Sequence, residues 1–384
     1  MFPSESRGGL EEYALTIASA ALDRGWDVHT AFPQREGTAS LIRDFSMRGV
    51  NYHELEISEN QTGGKLGGAR HLMRTLRTVL LLYRLRPNVA MLNLPITNQG
   101  LGSMLGCSLL SVNTVVVFHC IEARHSFGRH YLDLCTWARS RGQHWVAVSE
   151  NNRQLLADSF LTTPQHISLI YNGVNLSRIP SPTEVKSTTR RQLRQELGLR
   201  EEHQILLTVA ALRPQKGHEF LIHTIPHIVS EFPGARWLWA GDGPLRERLV
   251  ALVRRYGVEK YVKFLGTRND VADLLCAADL FVFPTRFEGH PFALLEAMAA
   301  RLPLVTTNAS GISEVIEHNK HGIVCRKEDS CDLLEGIRYA LRHPEEMERL
   351  ALNAELRVKD FGEEKMIEQT LELLHSLGRK VGQS

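Results

Sequence analysis

The sequence predicts an α/β protein built from two doubly wound, Rossmann-like domains whose sheets face a shared cleft. Three observations carry this. Short β-branched runs alternate with longer helical patterns, which implies parallel sheets covered on both faces. The alternation restarts past the middle of the chain, after a polar stretch holding Pro180, Ser181, Pro182 and Thr183. And 384 residues exceed what one ordinary core organises.

In the first half the strand candidates are Asp27–Phe32, Asn51–Glu56, Val89–Leu94, Thr114–Cys120, Trp145–Ser149 and Ile167–Tyr171. Helical patterns separate them, notably Leu10–Arg24 and Ala69–Leu85. In the second half the strands are Ile205–Ala210, Arg236–Ala240, Val262–Leu265, Leu280–Pro284, Pro303–Thr307 and Ile323–Cys325, and a helical tail runs over Glu364–Leu377. This gives an N-terminal domain over residues 1–176, a linker over 177–194 and a C-terminal domain over 195–362. A final helix, within 363–384, packs back on the first domain. Open α/β sheets take ligands at the carboxyl ends of their strands. One element is missing: Arg7-Gly8-Gly9 leads into the first helix, yet no apolar strand precedes that turn.

Composition narrows the function. The chain is 43% hydrophobic, 23% charged and near neutral at +2, which gives no case for nucleic-acid binding. Six scattered cysteines without a CxxC pair fit reduced thiols rather than a disulfide frame or a zinc site. The N-terminus lacks a signal-peptide layout, so the expectation is a cytoplasmic protein. Residues Asn88 to Ile121 hold no Asp, Glu, Lys or Arg, but Pro95, Gly100, Gly102, Gly106 and several Asn and Gln interrupt them. A strand, a short helix and a buried strand account for that run better than a membrane span.

The chemistry concentrates after two strands of the second half. Leu280–Pro284 is followed by Glu288-Gly289, then Pro291 in a first-turn position and a helix over Phe292–Ala300. Glu288 is thereby a loop residue at a strand's carboxyl end. Glu296 lies along the helix, and the amides of Phe292, Ala293 and Leu294 are aimed at an anion. After Ile205–Ala210 comes Leu212-Arg213-Pro214-Gln215-Lys216-Gly217, two cations suited to a diphosphate. Glycine turns at Gly8-Gly9, Gly241-Asp242-Gly243-Pro244 and Gly289 allow close backbone approach, though turns need glycine in any case.

At this point the chain resembles the family 4 (group 1) glycosyltransferases, of the two-domain GT-B type. Glu288 to Glu296 matches that family's E-x7-E signature. It is followed by Leu302-Pro303-Leu304-Val305-Thr306-Thr307, Gly311-Ile312-Ser313-Glu314 and Asn319-Lys320-His321-Gly322. Tyr171-Asn172-Gly173-Val174, Lys216-Gly217, Gly241-Asp242-Gly243-Pro244 and Phe264-Leu265-Gly266 precede it in the family's order. The resemblance implies that Glu296 holds the ribose of a nucleoside-diphosphate sugar, that Glu288 lies beside the donor sugar, and that Lys216 neutralises the diphosphate. It implies that Gly8 and Gly9 close over the phosphates and that His119 faces donor sugar and acceptor. The reaction implied is transfer of a hexose-type sugar to a hydroxyl of a glycan, a lipid-linked or a small-molecule acceptor, with retention of configuration. No DxD triplet occurs, so no metal is expected, and the only co-substrate expected is the nucleotide sugar.

Two departures stand out. Ala211 occupies the place of the family's arginine, and Arg213, two residues on, is expected to substitute for it if the strand runs through it. The absent first strand would leave a defect in the centre of the N-terminal sheet and admits a non-catalytic sugar-nucleotide-binding protein. A nucleotide-sugar epimerase of the same architecture is the other alternative. A nicotinamide dehydrogenase is disfavoured, since no GxGxxG opens a first strand–helix turn. Finally, Ala69–Leu85, preceded by Lys65, sets Arg70, Arg74, Arg77 and Arg84 beside Leu72, Leu76, Val79, Leu80 and Tyr83. This reads either as a core-facing stripe with a solvated back or as a docking helix for an anionic membrane at the inner face.

Overall fold

The computed structural model describes residues 1–4, 7–58, 67–179 and 186–379. Lys65 and the breakers Pro180, Ser181, Pro182 and Thr183 lie outside them. The chain forms two units: Met1–Asn172 with Glu364–Ser384, and Gly173–Glu363.

In chain order the first unit holds α1 (Gly9–Asp23), β1 (His29–Phe32), α2 (Ala39–Met47), β2 (Asn51–Glu54), α3 (Gly67–Leu85), β3 (Ala90–Leu94), α4 (Leu101–Leu109), β4 (Thr114–Phe118), α5 (Arg129–Ser140), β5 (Gln143–Ala147), α6 (Glu150–Ser159) and β6 (Ile167–Leu169). The second holds α7 (Lys186–Glu196), β7 (Gln204–Val209), α8 (His218–Glu231), β8 (Ala235–Ala240), α9 (Arg246–Arg255), β9 (Val262–Gly266), α10 (Val271–Ala277), β10 (Leu280–Phe283), α11 (Phe292–Ala299), β11 (Leu304–Thr307), β12 (Ile323–Cys325), α12 (Ser330–Arg342) and α13 (Pro344–Val358). The terminal helix α14 spans Glu363–Arg379.

All strand pairs are parallel. The second unit orders its sheet β12-β11-β10-β7-β8-β9, and the first orders β3-β4-β5-β6 beside a separate β1-β2 pair. Parallel strands covered on both faces read as unbroken apolar runs. Accordingly Val115–Phe118 are 0% exposed, and Trp237, Trp239, Leu206 and Val282 fill the core of the second unit against Leu221 and Ile225 of α8. In the first unit α14 returns to the sheet side of α1: Tyr13 Oη and Thr370 Oγ1 are 3.1 Å apart, and Asn113 Nδ2 donates to Leu377 O.

The gap before the glycine turn has a definite occupant. The Met1 amino group donates to Met91 O (2.8 Å) and Asn93 N donates to Met1 O (2.9 Å), while Phe2 N donates to Ala31 O (3.2 Å). Met1 and Phe2 therefore sit in the strand position between β3 and β1. Phe2 stacks on Phe32 at 4.7 Å between ring centroids and is 1% exposed, so the centre of this sheet is filled, not open.

Helix α3 corrects one expectation. Its apolar row does not face the core: Leu72, Met73, Leu76, Leu80 and Tyr83 are 61%, 52%, 49%, 69% and 66% exposed. The buried face carries Thr75, Thr78 and Leu82 instead. The reason lies in α4, where Gly102 and Gly106 bring the two helices together. A Cβ on Gly106 would stand 2.7 Å from Thr78 Cβ, so only small side chains fit the seam.

Candidate functional site

Because β7 and β10 are hydrogen-bonded neighbours, the loops leaving their carboxyl ends lie side by side although 72 residues separate Lys216 from Glu288. Main-chain and side-chain bonds knit them. Arg286 N donates to Gln215 O (2.8 Å), Thr285 Oγ1 to the same oxygen (3.2 Å), and Gln215 Nε2 to Phe287 O (2.8 Å). Two glycines permit the fit. Gly217 has φ +67°, and a Cβ there would meet Pro284 O at 1.9 Å. Gly311, at φ +78°, would meet Gly289 O at 2.0 Å.

At the centre Lys216 Nζ donates to Glu288 Oε1 at 2.6 Å, and Thr285 Oγ1 donates to the same oxygen at 2.7 Å. The side chains are 18% and 6% exposed, so both charges are largely withdrawn from water. Both bonds fall on Oε1, which leaves Oε2 without a protein partner among the described residues. His218, one residue beyond Gly217, is pushed down to about 3 by burial and then by the Lys216 charge; its neutral ring stands edge-on to Trp239. Lys216 is thus not flanked by a second cation at His218.

Pro291 caps α11, and its carbonyl accepts from Leu294 N (3.2 Å) and Leu295 N (3.3 Å). The Leu294 amide is therefore spent inside the helix, and its side chain is fully buried; only the amides of Phe292 and Ala293 precede this first bonded donor. Phe292, Ala293 and Glu296 share the half-buried face, while Leu294, Leu295, Ala297 and Met298 point into the core. Glu296 is one turn behind the open amides on the same side. Gly289 is buried beneath Gly311.

Arg213 is exposed, and its side chain makes no hydrogen bond or ion pair among the described residues. The condition set for it is not met: β7 ends at Val209, and Arg213 N donates to Ala211 O (2.8 Å) in a tight turn, so strand alternation does not reach it.

In the first unit, Gly8 and Gly9 are exposed at the start of α1, and Arg7 is tied to Glu12 and Asp44 at 2.5 Å each. His119 lies just past β4 rather than inside it. Burial pushes its imidazole down to about 3, and its Nε2 is 3.1 Å from Asn93 Oδ1. The Tyr13 ring packs on it at 4.9 Å, and burial raises that phenol to about 12. Thr285, Gln215, Asn93 and Tyr13 are the residues that sequence reasoning missed. Thr285 and Gln215 sit within three residues of predicted ones, whereas the partners of His119 come from other elements, which no local pattern reveals.

Comparison with known proteins accords with this layout. The family model for glycosyl transferases group 1 matches residues 189–357, and that for glycosyltransferase family 4 matches residues 7–178. An uncharacterized glycosyltransferase of Methanocaldococcus jannaschii is 32% identical over 182 residues, 46% of this chain and 45% of that one. N-acetyl-alpha-D-glucosaminyl L-malate synthase of Bacillus anthracis is 32% identical over 179 residues, 46% of this chain and 47% of that one. The chain thus spans about half the length of the curated relatives it matches. Anabaena HepE in complex with UDP-glucose has the same fold, with a TM-score of 0.79 at 20% identity over 98% of both chains.

Removing one member of a buried ion pair strands the other. Lys216→Met is expected to cost on the order of 3 kcal/mol in denaturant unfolding, and Lys216→Met with Glu288→Gln to recover most of it. Equal stability of wild type and Lys216→Met contradicts the burial argument.

Proposed function

Because this chain belongs to the family 4 (group 1) glycosyltransferases, we propose that it transfers a hexose-type sugar from a nucleoside diphosphate to an acceptor hydroxyl, with retention of configuration. One observation carries the reading. A buried lysine–carboxylate pair stands beside a helix start with two open amides, and a second carboxylate lies one turn along the same face.

As the bond to the anomeric carbon breaks, negative charge grows on the leaving diphosphate and positive charge on the sugar. Lys216 and the amides of Phe292 and Ala293 stabilise the first without rearranging, which is where preorganised electrostatics acts. Glu296 takes the ribose hydroxyls. Glu288 presents Oε2 to the sugar, and Oε1 stays with Thr285 when Lys216 turns to the diphosphate. The Arg213 guanidinium, exposed and without a partner among the described residues, adds the second cation in place of the arginine that Ala211 replaces. Gly8 and Gly9 supply a loop for the phosphates, and His119 a neutral contact for a sugar hydroxyl. Metal independence is part of this proposal, as expected for a sequence without a DxD triplet.

Helix α3 gives the acceptor a setting. Its exposed apolar row covers about 100° of the helix, and Arg70, Arg77 and Arg84 line one edge of that row at intervals of seven residues. No helix among the described residues is long and apolar enough to cross a membrane. An apolar stripe edged with arginine suits the interface of an anionic bilayer, where Leu and Tyr enter the acyl boundary and guanidinium groups meet phosphates. The acceptor is accordingly lipid-linked, or a glycan carried at that surface, and the protein is peripheral.

With a panel of sugar nucleotides, one donor is expected to be hydrolysed or transferred at the same rate in EDTA as with added divalent metal. Arg213→Ala is expected to weaken that donor about tenfold. Strict metal dependence overturns the first expectation, and unchanged affinity and turnover in Arg213→Ala removes the second. For α3, cosedimentation with anionic vesicles at low salt is expected, with release at high salt and loss in Leu76→Asp. A protein left in the supernatant under all conditions refutes membrane docking.

A further inference from the structure

The surroundings of His119 assign a role to a residue that nothing so far has used. His119 is held at both ends of its main chain: its N–H donates to Leu94 O (2.9 Å) and its carbonyl accepts from Asn152 Nδ2 (3.4 Å). The ring is 4.9 Å from the Tyr13 ring at 74°, an edge contact that fixes its plane. Asn93, in β3, is 1% exposed and puts Oδ1 3.1 Å from Nε2. The imidazole meets Tyr13 from α1 and Asn93 from β3, neither of them charged at neutral pH, while Asn152 from α6 holds the main chain. With burial pushing it down to about 3, the ring stays neutral and carries a single proton.

A neutral imidazole has one donor nitrogen and one acceptor nitrogen. Facing the Asn93 carbonyl oxygen, Nε2 must be the donor. Nδ1 is then a bare lone pair, with no protein partner among the described residues. Asn93 Nδ2, the other half of the same amide, is buried without a partner. A buried orphan donor costs free energy unless something arrives to accept from it.

We propose that Asn93 is the positioning residue of His119: by accepting the Nε2 proton it holds the ring in the Nε2–H tautomer and makes Nδ1 a dedicated acceptor for a hydroxyl of the sugar substrate. Asn93 Nδ2 is the donor that the same hydroxyl region satisfies. The identity of the hydroxyl rests on the sugar-transfer reading; the tautomer does not.

The test is long-range ¹H–¹⁵N correlation on the full chain labelled at histidine, with His119 assigned by its loss in His119→Gln. The wild type is expected to show the Nε2–H pattern unchanged from pH 5.5 to 8. Asn93→Leu is expected to give mixed tautomers. Asn93→Asp sets a carboxylate against Nε2–H, keeps the tautomer, and brings a histidine titration into the range that the wild type lacks, because a neighbouring negative charge raises the imidazole pKa. With an accepted donor, Asn93→Leu is expected to lower kcat/KM about tenfold or more, with Asn93→Asp recovering part of it. An Nδ1–H tautomer in the wild type, readable without any variant, overturns the proposal. So does an unaltered tautomer in Asn93→Leu. The expected spectra together with no transfer from any donor overturn the hydroxyl assignment and the proposed function, and leave the Asn93–His119 pairing standing.

Discussion

The second unit turns on one ion pair. Lys216 and Glu288 meet at 2.6 Å with little water around either, and neither charge tolerates its site alone. Their pairing joins the two loops that the bonds of Gln215 to Thr285, Arg286 and Phe287 hold side by side. A buried pair of this kind is a costly way to gain stability. It makes sense as a poised one: a cation held against a carboxylate that keeps its second oxygen open. In the proposed reaction an arriving diphosphate would offer Lys216 a stronger partner, and Thr285 would remain to hold Oε1.

The sheet order makes the pair possible. Placing β10 next to β7 brings two loops from distant parts of the chain to one edge, and parallel strands put both at their carboxyl ends. Gly217 and Gly311 then let backbone pack on backbone where a single methyl group would collide. The first unit is organised differently. There the fixed point is a neutral histidine clamped by an asparagine and a tyrosine, so the two units hold opposite kinds of site: one charged, the other kept free of charge.

Most of the strand pattern was legible because parallel strands are apolar throughout and end at glycine or polar residues. Ile323–Cys325 is placed to the residue, and Leu280–Pro284 overshoots by one. The misses share a cause: they depend on partners remote in sequence. Strand periodicity carried His119 inside β4, but the chain leaves the sheet at Phe118, and the histidine takes its contacts from α1 and β3. Helical periodicity found the apolar row of α3 but not its direction. That depends on two glycines of α4, which favour threonine over leucine in the seam. The E-x7-E spacing marked Glu288 and Glu296 without revealing that Glu288 is bonded to Lys216. The empty place before Gly8 looked like a defect because two residues, Met1 and Phe2, are too short to read as a strand.

The claim most in need of a direct test is that Lys216 exchanges Glu288 for a diphosphate. Calorimetric titration of the nucleoside diphosphate of the accepted donor into wild type, Glu288→Gln and Lys216→Met separates the two charges. The account predicts that Glu288→Gln binds this diphosphate at least as tightly as wild type, since the lysine is released from its partner, while Lys216→Met loses about tenfold or more. Equal weakening in both variants would contradict it, because the pair would then be acting as a fixed scaffold and not as a charge held ready for the ligand.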